Sequence, residues 1–399
     1  MAQLHLPGAF SEKRRFPLWI VLVALVAVTL ACAVPGTAAP APAPTAEVVE
    51  EEITEEPTEE EDSDGGLNSQ GQQQQSGGSN EPTAVPTEAA TPTPEPGGAI
   101  NRDNANDIEI IDQYSMSATS LTAVGASPTE PLMVTFGWDK VIRFVDADTR
   151  DVVSELTGSA DYSFSTVFSP DGSTLASGDR SRVYLWDVND RDQLSETLLN
   201  TTRIYDIAWS PDGSRMAVGG ESRNAYILDG NSGAQVDEFR NPAANWIWSA
   251  AYSPDGSLLA LGDADGRLYI LDSESLVEQQ MLSTAPASFD LEFSPDGSLL
   301  VSCNTDRSIY IFDTATWSLV TELDSVHVDA CQDGVFSRDG SVYFSIGDGG
   351  QFYAWDTETW GQLALLRFGM LAWRIALSDT GDQIIVALTN GDVGFIGLP

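Results

Sequence analysis

Ser169-Pro170-Asp171-Gly172-Ser173 recurs as the same five residues starting at Ser210, Ser253 and Ser294, and as Ser337-Arg338-Asp339-Gly340-Ser341. Looser copies begin at Ser127 (Ser-Pro-Thr-Glu) and at Ser378 (Ser-Asp-Thr-Gly). The seven starts lie 42, 41, 43, 41, 43 and 41 residues apart. A fixed period in this range predicts stacked supersecondary units, each of which buries its apolar faces only against its neighbours.

The chemistry of the phrase says what each unit is. Proline presets φ, aspartate bonds its own backbone, and glycine supplies a left-handed conformation, so each copy predicts a turn between two antiparallel strands. An apolar strand precedes the turn, as at 202–209, and a second follows, as at 216–219. A third ends in an apolar-Asp pair: Val145-Asp146, Trp186-Asp187, Leu228-Asp229, Leu271-Asp272, Phe312-Asp313 and Trp355-Asp356. A short fourth strand follows in the first six copies, as at 235–239 and 319–323. The last copy ends after its third strand, at Ile396-Gly397, while an unmatched fourth strand, 108–113, precedes the first copy.

These residues resemble the WD-repeat β-propeller family, in which a repeat of about 40 residues builds one four-stranded blade. The resemblance covers 107–399. It implies an all-β, seven-bladed β-propeller of four-stranded antiparallel blades, with the ring closed by the N-terminal strand so that no sheet edge is left open. The family usually places a histidine ten residues before the Ser of the turn, in a network with Ser, Asp and Trp. Here only His327 holds that place, Trp fills its position at Trp186 and Trp355, and the loop aspartate is kept at Asp139, Asp265 and Asp306. Periplasmic propellers with Ser-Pro-Asp-Gly turns are similar as well.

The N-terminus predicts export. Residues 1–32 carry Lys13, Arg14 and Arg15 ahead of an apolar run at 18–34, the pattern of a signal or a membrane anchor. Thr29-Leu30-Ala31-Cys32 resembles the bacterial lipobox, with leucine one position nearer the cysteine than usual, which makes Cys32 the candidate lipidation site. Ala31-Cys32-Ala33 also reads as an ordinary signal-peptidase site. Lipoprotein, uncleaved anchor and secreted protein all stay open. Residues 33–106 hold 15 acids and one base with little to bury, and predict a disordered acidic tether rich in Pro, Thr and Gln.

The formal net charge is -41, with 60 Asp and Glu against 19 Lys and Arg. Repulsion from phosphate excludes nucleic acid as a partner. With His5 and His327 the only histidines, no multi-histidine metal site can form, and no phosphate-binding Gly-rich loop, Gly-x-Ser-x-Gly elbow or His-Glu-x-x-His is present. Neither a cofactor nor a metal is expected. Asp146-Ala147-Asp148 and Asp263-Ala264-Asp265-Gly266 do not continue into a calcium loop and read as hydrated turns. Cys303 and Cys331 end strands in adjacent repeats. They could pair in an exported protein, but two small buried thiols are the expectation, since spacing alone shows no Cα separation near 5.5 Å.

One column stands out. Five residues before each turn serine lie Thr122, Phe164, Tyr205, Trp248, Phe289, Gln332 and Trp373, and the neighbouring loops add Tyr162, Arg203, Trp246 and Arg374. Packing between blades accounts for strict alternation with Ile207, Leu291 and Ile375. An aromatic and arginine rim, the composition of interface hot spots, is the functional reading. On that reading Tyr162, Arg203, Tyr205, Trp246, Trp248, Phe289, Trp373 and Arg374 bind a partner on the face turned away from the tether. The expected protein is a non-catalytic, monomeric binding or scaffold propeller, exported and held at a cell membrane or surface through Cys32 or residues 18–34. Its partner is a protein or cell-surface component. The alternatives are an envelope-assembly lipoprotein and a propeller hydrolase or lyase working with channel carboxylates. A channel of converging acids and arginines with displaced pKa values favours the enzyme, and an exposed aromatic face favours the binder.

Overall fold

In the computed structural model, residues 98–159, 161–284 and 286–399 are described, and they form 28 strands with no helix among them. Cys32, the apolar run and residues 33–97 lie outside the described residues. The fold is an all-β propeller of four-stranded antiparallel blades, laid out as five four-stranded sheets and one of eight. The repeat holding Ser210 shows the pattern: β10 (Ile204–Trp209), β11 (Arg215–Gly220), β12 (Asn224–Asp229) and β13 (Gln235–Arg240) pair in order. Apolar residues run without alternation through β11 and β12, where Met216, Ala217, Val218, Ala225, Ile227 and Leu228 are buried, because a neighbouring sheet covers each face. The outermost strand, β13, is mostly exposed, its edge facing water.

Two junctions bear on closure. The sheet of β10–β13 meets that of β14 (Ile247–Tyr252), β15 (Leu258–Asp263), β16 (Arg267–Asp272) and β17 (Glu278–Ser283) through one residue pair, Gly220 with Ile247. The unmatched N-terminal strand, β1 (Glu109–Ser115), pairs antiparallel with β28 (Asp392–Gly397). Leu121, Val124 and Met133 of the first repeat pack with Ile385, Val393 and Phe395 of the last.

The turns behave as their residues require. Ser169 Oγ donates to Asp171 Oδ1 at 2.6 Å and accepts from the Thr174 amide at 2.9 Å, while Gly172 closes the turn on Ser169 at φ +74. Each turn packs on the next, Gly213 lying against Pro170, Gly256 against Pro211 and Gly297 against Pro254.

Three expectations need correction. Residues 100–106, assigned to the disordered tether, are part of the packed body: Ile100 and Ala105 are buried with Ile108, Val342 and Ile384, and Arg102 pairs with Asp356 at 2.8 Å and with Glu358. Two apolar residues five apart were too sparse a signal to separate them from the polar segment. Cys303 and Cys331 are not free thiols but a disulfide, Cα atoms 5.1 Å apart, joining β19 (Leu299–Asn304) to β22 (Cys331–Phe336). Asp263 is not hydrated. It is fully buried, takes amides from Asp265 and Arg267 at 2.9 Å each and meets Asn241 Nδ2 at 3.2 Å, whereas Asp265 faces out and pairs with Arg267.

The degenerate repeats thus replace one polar network with several. Ser345 Oγ lies 3.0 Å from both His327 Nε2 and Trp355 Nε1, and burial pushes His327 down to about 4, so its ring is neutral. Elsewhere tyrosines take over, Tyr269 donating to Asn241 at 2.9 Å and Tyr310 to Asp306 at 2.9 Å.

Candidate functional site: an aromatic mouth above a belt of acids

The first strand of every repeat lies at the axis, and the aromatic column sits at one end of these strands. Its rings touch in series. Phe164 stacks on Trp373 at 5.3 Å and 8°, meets Tyr205 at 5.6 Å, Tyr205 meets Trp248 edge-on at 5.9 Å, and Trp248 stacks on Phe289 at 5.2 Å and 8°. Thr122, buried and small, separates Phe164 from Trp373 in the column, and this lets their rings meet across it. All five rings are half-buried. The five aromatics are therefore one packed array as well as a surface.

Other residues extend the array outward. Tyr162 stands edge-on to Phe164 at 5.3 Å, Arg203 lies 6.0 Å over Tyr162 and 5.8 Å over Phe164, and Trp246 is 38% exposed. Tyr205 donates to Glu221 at 2.6 Å, and Arg203 approaches the same carboxylate at 3.7 Å. Trp138 was not anticipated: 54% exposed in the turn between β3 (Leu132–Gly137) and β4 (Val141–Asp146), it lies 5.5 Å from Tyr162. A tryptophan in a turn where polar residues are usual was the available signal.

Arg374 is not in a loop. It belongs to β26 (Ala372–Leu377), and its guanidinium is directed at the axis, donating to the carbonyls of Phe164, Gln332 and Tyr205 at 3.1 Å each. The innermost segments of three other repeats are tied by one side chain. Only the planar fork of arginine, with five N–H donors, can do this. Its ion pair with Asp333, at 3.6 Å, completes the set.

One residue beyond the aromatics runs a second ring that the aromatic column did not announce. Ser165 accepts from the Ile207 amide at 3.1 Å, Asp206 from Ala250 at 2.9 Å, Asp290 from Gly334 at 3.1 Å and Asp333 from Ile375 at 2.7 Å. The amide in each case belongs to the first strand of the next repeat. An innermost strand has an edge with no partner strand, and a side chain from the neighbouring blade satisfies its N–H. Asp206, Asp290 and Asp333 at one register of otherwise apolar strands were visible in the sequence.

Burial raises every one of these acids: Asp206 and Asp290 upward, Asp333 to about 6, and Glu292, two residues beyond Asp290, to about 8. They line a cavity of about 320 Å³ to which the first strand of all seven repeats contributes, from Phe164 at the aromatic end to Pro254 in a turn. Among the described residues no group of three or more His, Cys, Asp or Glu is placed to hold a metal ion.

Comparison with known proteins agrees with this architecture. Residues 150–187 match the family profile described as WD domain, G-beta repeat, and residues 170–316 match that of Eukaryotic translation initiation factor eIF2A. Both support a WD-repeat β-propeller. A stretch of 64 residues is 33% identical to MST50-interacting protein 11 of Pyricularia oryzae and, equally, to Small ribosomal subunit protein RACK1 of Neurospora crassa. It covers 16% of this chain and 20% of either relative, so the chain matches only about a fifth of the length of these curated relatives.

Proposed function

We propose that this chain is a non-catalytic binding or scaffold protein whose aromatic mouth meets a protein partner. The observation that carries it is the array of contacting rings at one end of the axis, with Trp138 and Trp246 left exposed beside it. Rigid aromatic area of this kind supplies binding energy at small entropic cost. A partner fits the similarity to WD-repeat proteins, one of which is named for an interaction with another protein. Tyr162, Arg203, Tyr205, Trp246, Trp248, Phe289 and Trp373 are the contact candidates. Arg374 is spent on backbone carbonyls.

The ring itself is read as seven blades. Two observations support that reading: β11 and β14 touch through a single residue pair, so the eight-stranded sheet can be counted as two blades, and β1 pairs with β28. Residues 100–106 pack near the turns of Ser341 and Gly381, the opposite end from the aromatics. Export through residues 1–32, with lipidation at Cys32, is supported by the Cys303–Cys331 disulfide, since such bonds persist in oxidising compartments.

The test is differential capture with the full chain, wild type against Trp138→Ala with Trp246→Ala. The reading expects a bound protein that the variant loses while it stays folded. An identical bound set from both sinks it. A second reading, a hydrolase or lyase, draws on Glu292, whose carboxyl is raised to about 8 in the cavity. Turnover of ester or glycoside substrates that Glu292→Gln abolishes is its signature, whereas the other acids are engaged as inter-blade fasteners.

A further inference from the structure

We propose that the axial cavity is a binding site for an alkylammonium group, held by Glu292 together with the free carboxylate oxygen of Asp290. The inference does not rest on the aromatic mouth meeting a partner.

Charge is the first observation. Four carboxylates, Asp206, Asp290, Glu292 and Asp333, line the cavity with one cation, Arg374, whose donors are taken up by three carbonyls and Asp333. Asp333 is used at both oxygens, Oδ2 on the Ile375 amide and Oδ1 on Arg374, but Asp290 uses only Oδ2, on the Gly334 amide, and Glu292 meets the Phe336 amide. Acceptor capacity is left over on two half-buried acids that line the cavity, free to take a donor that enters it.

An unpartnered hydroxyl is the second. Thr166, 2% exposed, lines the cavity with its Oγ1 lacking any hydrogen-bond partner. It belongs to another strand than the acids, and nothing in the inter-blade belt uses it. A ligand with several N–H donors and one positive charge satisfies both features. An ammonium has three donors and no acceptor, and it tolerates the wide spacing of oxygens that fails to form a metal site here. The cavity of about 320 Å³ equals the liquid volume of roughly ten waters, room for the ammonium and several methylenes.

Binding must be linked to protons. Around Glu292 stand Asp290 on its own strand, Asp333 and the Phe336 amide on β22, Asp206 on β10, Arg374 on β26 and Tyr343 on β23 (Val342–Gly347). At neutral pH the Glu292 carboxyl keeps its proton, and an arriving cation expels it. The ammonium source is either a free amine or the lysine of a partner, and both present the same group.

Calorimetry on the full chain decides. Cadaverine and a peptide with a single lysine are titrated at pH 7 and pH 9, in buffers of different ionisation enthalpy. The proposal expects proton release and an affinity about tenfold higher at pH 9, as follows from an ionisation near 8. Glu292→Gln should lose about tenfold at pH 9 and remove the pH dependence. Thr166→Val, of nearly equal volume, gives a second and smaller loss, and Trp246→Ala leaves amine binding intact whatever it does to a protein partner. Cadaverine binding identifies a site open to free amines, and binding of the peptide alone identifies a partner's lysine. No heat from either at pH 9, or binding to wild type that ignores pH, overturns the proposal even where a variant fails to fold.

Discussion

The Asp333 carboxylate accepts the Ile375 amide, one repeat further along the chain, at 2.7 Å, and its other oxygen faces the Arg374 guanidinium at 3.6 Å. The same carboxylate thus fastens one blade to the next and holds the arginine that reaches across the axis. Removing Arg374 leaves Asp333 as a buried charge without its cation and three carbonyls without their donor. Arg374→Met is expected to lower stability by about 3–5 kcal/mol, the range for breaking a buried pair. Arg374→Lys recovers part of it, since an ammonium cannot span three carbonyls from three repeats. Thermal unfolding by circular dichroism measures the order wild type, lysine, methionine, and equal melting temperatures sink the keystone role.

Acidity at the axis and acidity in the turns pull stability in opposite directions. Asp333 and Glu292 are raised by burial to about 6 and about 8, so the folded state holds protons that the unfolded chain releases. Their contribution is complete below pH of about 4 and is lost as pH rises through 6 to 8. The turn aspartates Asp171, Asp212, Asp255 and Asp296 are lowered, first of all by their serine hydroxyls. Their contribution is present above the usual carboxylate pKa and is lost as pH falls through the folded value. Melting temperature against pH should therefore peak on the acid side of neutrality. Glu292→Gln should flatten the alkaline limb and leave the acid limb alone, and an unchanged alkaline limb contradicts the assignment.

The propeller was legible because its punctuation is local. Ser-Pro-Asp-Gly fixes a turn whatever surrounds it, and Gly172, Gly213, Gly256 and Gly297 all take the positive φ that the phrase requires. The site was half legible. Alternation along the first strands exposed the aromatics, but whether Trp248 meets solvent or Phe289 depends on the neighbouring blade, which one strand does not encode. Arg374 looked like a loop residue because it follows Trp373 at a strand start, where only the ring geometry shows three carbonyls converging on it. The disulfide was a matter of Cα separation, and spacing along the chain carries none.

That disulfide closes a loop with a sequence separation of 28. The chain-entropy account puts its contribution at about 3–4 kcal/mol. Cys303→Ser with Cys331→Ser should lower the melting temperature by several degrees, and a reducing agent should do the same to wild type only. Thiol titration of the unfolded, unreduced chain gives the direct check, with Cys32 the sole cysteine outside the bridge. Two further reactive thiols in that titration contradict the pairing.

Trp246 and Trp248 lie two residues apart and are predicted to differ in kind. Trp248 stacks on Phe289 at 5.2 Å and meets Tyr205 at 5.9 Å, so its ring supports the array from within. Trp246 is 38% exposed and the ring contacts of the mouth do not include it. Trp248→Ala removes two aromatic contacts and opens a gap between two blades, at a cost of about 2–4 kcal/mol, below the figure for a fully enclosed aromatic because one side of the ring is wet. Trp246→Ala leaves the ring contacts of the array in place and should cost clearly less stability than Trp248→Ala, on the order of 1 kcal/mol. If the mouth binds a partner, the two variants separate: Trp246→Ala weakens binding at a small cost in stability, while Trp248→Ala changes both strongly. Equal losses of stability in chemical denaturation would place Trp246 in the packed interior and remove it from the binding surface.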